Sequence, residues 1–109
     1  MAYTGTPVVV ATTLLLGPHE RVVVGSDRWW AWLETATCFS YQPRWTTYRL
    51  TARREQRRHR FYWYGYLRAG GKLHNVYLGK AEALDLDTLD AALRQLLHKR
   101  RRRHSTPAG

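Results

Sequence analysis

The segment 59–80 constrains the fold most, because its residue types alternate on both sides of a tight turn. In its first half the odd positions are mostly apolar, whereas the even positions are tyrosine or arginine. Gly70-Gly71 can supply the two positive φ angles that a two-residue hairpin turn requires. We therefore predict a β-hairpin in which Ala69 lies opposite Lys72.

This pairing sorts the hairpin side chains by chemistry. One face receives apolar residues, with Trp63 opposite Leu78 and Val76 beside them. The other face places Tyr62 opposite Gly79 and collects polar and aromatic residues: Arg60, Tyr62, Tyr64, Tyr66, Arg68, Asn75 and Tyr77. A one-residue slip would mix the two sets, so the apolar face is predicted to be core.

Alternation over 46–56 predicts a third strand, which forms a three-stranded antiparallel sheet with 59–69 and 72–79. Leucines at helical spacing after Leu86 predict an amphipathic helix that packs on the apolar face, with Asp87 as N-cap and Asp90 at N3. The predicted fold class is α+β.

The first 43 residues are assigned more coarsely. Valine and leucine runs between positions 8 and 24 surround a turn at Gly17-Pro18 and predict either a hairpin or a loose arm. Ser26-Asp27 can cap a short Trp-rich helix, and core packing of two of its tryptophans is favoured over an aromatic cage. The predicted divisions are an arm with a short helix (1–43), a sheet-plus-helix domain (44–103) and a disordered tail (104–109).

The charge is concentrated in one part of the chain. The formal net charge is +10, and segment 44–80 carries ten cations against the single anion Glu55. Most cations are arginine, whose planar guanidinium suits phosphates and guanine edges. A polyanion partner is therefore favoured over a merely solvated surface.

Arginines interleaved with exposed tyrosines on a sheet are typical of a nucleic-acid interface. The alternative is that a second layer, such as helix 27–35, covers this face, although burying its arginines would be costly. The basic run 99–103 either grips phosphates or is a solvated helix end. The predicted DNA-binding residues are Arg49, Arg53, Arg57, Arg58, Arg60, Tyr62, Tyr64, Tyr66, Arg68, Lys72, Asn75, Tyr77, Arg100 and Arg101.

The residues that could carry catalysis or bind a metal form no recognisable pattern. Cys38 is the only cysteine, so an internal disulfide is excluded and a reducing compartment is favoured. No paired acid and base, nucleophile motif or phosphate-binding glycine loop occurs, so we expect no enzyme, cofactor or metal site. A nuclease using His59 and His74 is disfavoured because the register turns His74 inward, opposite Leu67.

The longest apolar run, 7–16, is shorter than the roughly 20 residues of a membrane span and has no basic segment before it. We therefore expect a cytoplasmic protein, associated with the nucleoid if bacterial, that has neither a membrane nor a small-molecule partner.

The segment 62–80, followed by the helix after Leu86, resembles the three-stranded DNA-binding domains of plant ethylene-response factors and the arm-binding domains of tyrosine integrases. The matching positions are Trp63, Gly71-Lys72 and Leu78-Gly79. The resemblance covers residues 46–98 and implies a sheet that lies in the major groove with a helix behind it. The segment is also similar to a stretch of large bacterial regulators with the pattern Tyr-Trp-x-x-Tyr, Gly-Lys-Leu, Tyr-Leu-Gly.

We therefore expect a domain that binds double-stranded DNA and is regulatory or associated with a mobile element. The arginines would set affinity, while Tyr64, Tyr66, Arg68 and Asn75 would set base preference. Two alternatives stay open. One is single-stranded RNA or DNA stacked on Tyr62, Tyr64 and Tyr77, and the other is a protein-interaction module.

Overall fold

A computed structural model of the chain describes residues 6–105, and their side chains as far as residue 98. It contains a mixed sheet, two α-helices and one short 3-10 helix, Ala81–Ala83. The strands are β1 (Val8–Val10), β2 (Thr13–Leu15), β3 (Arg21–Val23), β4 (Cys38–Gln42), β5 (Leu50–Arg57), β6 (Arg60–Ala69) and β7 (Lys72–Gly79). The helices are α1 (Asp27–Leu33) and α2 (Leu86–Ser105).

All seven strands belong to one sheet, in the order β3-β2-β1-β4-β5-β6-β7. Neighbouring strands are antiparallel except β1 and β4, which are parallel. The α+β class is thus confirmed, but the three-stranded sheet is wrong, because four more strands extend it beyond β5. Of the alternatives for positions 8–24, strand pairing is observed, with three short strands.

The register of the β6–β7 hairpin is confirmed from Ala69 opposite Lys72 as far as Tyr64 opposite Tyr77. Gly70 and Gly71 have φ angles of 61° and 75°, as the turn requires.

The predicted pairs nearer the end of β7 are wrong. A β-bulge shifts the register, so that Trp63 lies opposite Gly79 instead of Leu78. Tyr62 is consequently not paired with Gly79. Leu78 is the extra residue of β7, yet it is buried, as is Trp63.

Both helices pack on the same face of the sheet. The fully buried Trp29 of α1 contacts Phe39 edge to face at 5.3 Å between ring centroids, and Phe39 contacts Trp63 at 5.4 Å. The Trp29 indole also donates a hydrogen bond to the Leu84 carbonyl, 2.9 Å away, just before α2. The possibility that α1 covers the tyrosine-rich face is therefore wrong.

The tryptophans of α1 pack as expected. Trp32 stacks on Trp29 with centroids 5.7 Å apart, and both are part of the packing around the core. The leucine stripe of α2 completes that core with three fully buried residues, Leu89, Leu93 and Leu96. Burial of these apolar surfaces is the main stabilising contribution to the fold.

The helix caps are partly as predicted. Ser26 caps α1 by accepting a hydrogen bond from the Trp29 amide. The cap of α2 is Asp85 instead of Asp87, because the carboxylate of Asp85 accepts from the Thr88 amide at 2.8 Å. Asp87 lies in the first turn and is exposed.

Asp90 has a role that its position in the helix did not suggest. Its Oδ1 accepts hydrogen bonds from the Tyr41 hydroxyl at 2.5 Å and from the Trp45 indole at 3.1 Å. Asp90 thus ties α2 to β4 and to the loop that follows it.

At its far end α2 continues to Ser105, two residues into the predicted tail, and residues 106–109 lie outside the described part of the chain. None of the helices within residues 6–105 is long and apolar enough to cross a membrane.

Candidate nucleic-acid interface

The side of β5, β6 and β7 that faces away from both helices forms what we call the open face. Cross-strand pairing defines its membership, because opposite residues in an antiparallel pair lie on the same side. Its residues are Thr51, Arg53, Glu55, Arg57, Arg60, Tyr62, Tyr64, Tyr66, Arg68, Leu73, Asn75 and Tyr77. All four arginines in this set are exposed.

Three tyrosines form a cluster on the open face. The ring centroid of Tyr77 lies 5.5 Å from that of Tyr64, in an edge-to-face contact, and 6.0 Å from that of Tyr62. The guanidinium of Arg57 lies 5.0 Å from the Tyr64 centroid. Tyr77 is 56% exposed, whereas Tyr62 and Tyr64 are half-buried. Tyr77 therefore offers the most accessible ring of the cluster.

Glu55 is the one carboxylate that we place on the open face among the described side chains. One of its oxygens lies 2.7 Å from Nη2 of Arg57, and the other accepts a hydrogen bond from the Tyr66 hydroxyl. That hydrogen bond, with burial as a smaller cause, raises the pKa of Tyr66. The contacts hold Glu55 between two predicted site residues, and it is a site component that the predicted set lacked.

A shallow depression of about 380 Å³ lies beside this carboxylate. It is lined by Thr51, Arg53, Glu55, Tyr66, Arg68 and Leu73. The lining combines guanidinium donors, a phenol and a carboxylate acceptor, so it can contact both phosphates and base edges.

Not every predicted binding residue lies on the open face. Lys72 is opposite Ala69, in a row of the sheet that belongs to the helix-covered side, so it does not share a face with Arg68. Arg58 lies in the β5–β6 turn with φ of 60°, and the exposed Arg49 precedes β5. Arg57 is the last residue of β5 and is paired with Arg60.

The predicted contacts of Arg100 and Arg101 depend on side chains outside the described set. Their backbone belongs to α2.

Arg54 is an arginine of the basic segment that points to the opposite side. It donates to the Glu34 carbonyl at 3.0 Å, just after α1, and its guanidinium lies 4.7 Å from the Phe61 centroid. Strict alternation along β5 is the signal that separates Arg54 from Arg53.

The two histidines that a nuclease would use, His59 and His74, are far apart. His74 is buried on the helix-covered side, opposite Leu67, whereas His59 lies in the exposed turn before β6. Seven strand residues lie between His59 in the turn and Leu67, the partner of His74. They correspond to a separation of about 23 Å along the strand. Among the side chains that the structure describes, no cluster of three histidine, cysteine or acidic residues could hold a metal ion.

No protein-family model, curated protein or solved structure matches this chain. The resemblance to ethylene-response-factor and integrase domains therefore stays a hypothesis, and it concerns β5–β7 and α2.

Proposed function

We propose that this chain binds double-stranded DNA by placing the open face in the major groove. The supporting observation is that both helices pack behind the sheet, which leaves four arginines and four tyrosines uncovered on one side. The major groove is about 12 Å wide and admits a two-stranded ribbon. Neighbouring strands lie about 4.8 Å apart, so a pair such as β6 and β7 has a suitable width.

The chemistry of the open face suits both parts of a duplex. Its four arginines and one carboxylate give a local charge of +3, which favours the phosphate backbone. Arg68 can bind guanine in bidentate fashion, and the exposed Asn75 offers the amide that suits adenine. The tyrosines would contact sugars, thymine methyl groups and base edges.

Stacking of a single strand has less support. Stacking needs accessible ring faces, but Tyr62 and Tyr64 pack against Tyr77, and Arg57 lies over Tyr64. A DNA-binding role would place the protein in the cytoplasm, on the nucleoid if it is bacterial, in a regulatory or mobile-element process.

Fluorescence anisotropy with a labelled duplex, a single strand and heparin, repeated over a range of salt, tests this proposal. We expect the logarithm of duplex affinity to fall linearly with the logarithm of salt concentration. Arg68→Ala should cost about 1–3 kcal/mol at one base position, or lower the salt slope by about 1 if Arg68 binds a phosphate.

Arg28→Ala is the matched control. Arg28 is an exposed arginine on α1, paired with Glu20 at 2.7 Å, behind the sheet. The Arg28→Ala variant should leave duplex binding unchanged. The proposal would be wrong if duplex affinity did not change with salt concentration. It would also be wrong if Arg68→Ala and Arg28→Ala lost equal amounts of duplex affinity. Preferential loss of single-strand binding in Tyr77→Ala would favour stacking instead.

A further inference from the structure

The tip of the β6–β7 hairpin is a two-stranded ribbon that extends past β5. The pairing of β5 with β6 runs from Arg60 only as far as Tyr66. Beyond Tyr66 the described pairing of β6 is with β7 alone, up to the turn at Gly70-Gly71. Because the major groove admits a ribbon of two strands, this tip is the part of the sheet that can enter it most deeply.

Leu73 is the one aliphatic residue of the open face, and it lies on this ribbon directly opposite Arg68. Its side chain is 53% exposed and does not belong to the residues packed around the core. It lines the depression of about 380 Å³ together with Arg53 and Arg68. The ribbon thus holds an apolar side chain beside guanidinium donors.

Cross-strand pairing places Leu73 and Arg68 close enough to contact neighbouring groups of one duplex. The Cβ atoms of opposite residues are about 4.5–5.5 Å apart, and successive bases of a strand are stacked about 3.4 Å apart. The two side chains can therefore reach the same base pair or adjacent ones. The long side chain of Arg68 suits the N7 and O6 acceptors of guanine, whereas the shorter Leu73 suits an apolar group that projects into the groove.

The apolar group that a base presents in the major groove is the C5-methyl of a pyrimidine. We propose that Leu73 contacts the C5-methyl group of a pyrimidine in the base step that contains the guanine bound by Arg68. Thymine and 5-methylcytosine carry this methyl group, whereas uracil and cytosine lack it. The contact removes apolar surface from water, so it favours the methylated base. This inference rests on the proposed binding of a duplex by the open face.

Fluorescence anisotropy with the full chain and four matched duplexes tests the inference. Selection from a random duplex pool first gives the sequence that the natural chain prefers. Repeating the selection with Arg68→Ala identifies the guanine that Arg68 binds, because enrichment of that guanine should be lost. The four duplexes then carry thymine, uracil, 5-methylcytosine or cytosine at the neighbouring pyrimidine.

The natural chain should bind thymine more tightly than uracil, or 5-methylcytosine more tightly than cytosine. The expected difference is about fourfold, because a buried methyl group contributes about 0.8 kcal/mol and a factor of ten corresponds to about 1.4 kcal/mol. A preference in the first pair alone identifies thymine as the source of the methyl group, and a preference in the second pair alone identifies 5-methylcytosine.

Leu73→Ala removes the apolar contact without changing the charge. This variant should bind the two members of each pair equally, while its duplex affinity keeps the same dependence on salt. Leu73→Met retains an apolar side chain and should keep the preference. Phe61→Ala is the control variant and should also keep it, because Phe61 is 51% exposed but alternates with Arg60 and Tyr62 and so lies on the other side of the sheet. Circular dichroism would verify that each variant is folded.

Three results would overturn the inference. They are a natural chain without a preference in either pair, a preference that Leu73→Ala retains, and a selected sequence that Arg68→Ala leaves unchanged. If duplex affinity still falls with salt, these results leave the proposed function intact. An absence of salt-dependent duplex binding would instead overturn both proposals.

Discussion

Tyr41 shows how one buried hydroxyl connects the sheet to α2. It is 2% exposed and donates to Asp90 at 2.5 Å. Burial, followed by this hydrogen bond and the charge of Asp90, raises the pKa of Tyr41 far above its usual value. The folded state therefore holds this proton more tightly than the unfolded chain does.

The consequence is a loss of stability at alkaline pH. The contribution of Tyr41 is complete below the unfolded pKa of about 10 and decreases as pH rises towards the higher pKa of the folded state, by about 1.4 kcal/mol per pH unit. Tyr41→Phe should cost about 1 kcal/mol at neutral pH and should make the alkaline decline shallower. Denaturant unfolding at a series of pH values measures both effects. Parallel curves of unfolding free energy against pH for the natural chain and Tyr41→Phe would contradict the prediction. Tyr77→Phe serves as the control at an exposed tyrosine.

Gly65 marks a close approach inside the sheet. A Cβ at this position would lie 2.8 Å from Cδ1 of the fully buried Leu50 and 3.4 Å from Cγ1 of Val76. Gly65→Ala should therefore destabilise the protein by about 1–3 kcal/mol through overpacking. Chemical denaturation of Gly65→Ala, Leu50→Val and the double variant checks the cause. If Leu50→Val relieves the clash, the double variant should lose less free energy of unfolding than the sum of the losses in the two single variants. Strict additivity of these losses would be evidence against a clash with Leu50.

The face of each residue was largely predictable from the sequence, whereas individual contacts were not. Alternation along β6 assigned Trp63 to the core and the tyrosines to the other side, and both are observed. The bonds from Arg57 and Tyr66 to Glu55 depend on side-chain conformations and on strand pairing across β5 and β6, which local patterns do not specify.

At the scale of secondary-structure elements, a prediction concerns the N-cap of α2. Asp85 and Asp87 both fit the composition of a helix start, but only Asp85 is observed to accept a hydrogen bond from the Thr88 amide. Asp85→Ala should lower the free energy of unfolding by about 1 kcal/mol. The neighbouring Asp87→Ala loses only a favourable charge near the helix N-terminus, so its cost should stay below about 0.5 kcal/mol. Thermal or denaturant unfolding of both variants measures the difference, and the reverse order would assign the cap to Asp87.

Elements were predictable where a local signal was strong. Gly70-Gly71 determined the β6–β7 register over six pairs, until the bulge at Leu78. By contrast, β4 shows no alternation of burial, because Phe39, Ser40 and Tyr41 are all buried in the middle of the sheet. Strands β1 to β3 are only three residues long, which is too short for a reliable periodic pattern.

On the scale of the whole molecule, the parallel pairing of β1 with β4 determines the arrangement. It joins residues 8–23 to the same sheet as β5–β7, although more than 25 residues separate β1 from β4 in sequence. This long-range contact could not be inferred from local patterns. It makes the N-terminal strands part of the sheet, and both helices then share one side of it.

An NMR titration of the full chain with a DNA duplex tests the proposed DNA interface most directly, because the two sides of the sheet carry different aromatic reporters. We predict that the ring signals of the four open-face tyrosines shift or broaden as duplex is added. The indole N–H groups of Trp30 and Trp45 donate hydrogen bonds to Gly25 and Asp90 on the helix side, and their signals should not shift. Shifts at these indoles with unchanged tyrosine signals would contradict the proposal that the open face binds DNA.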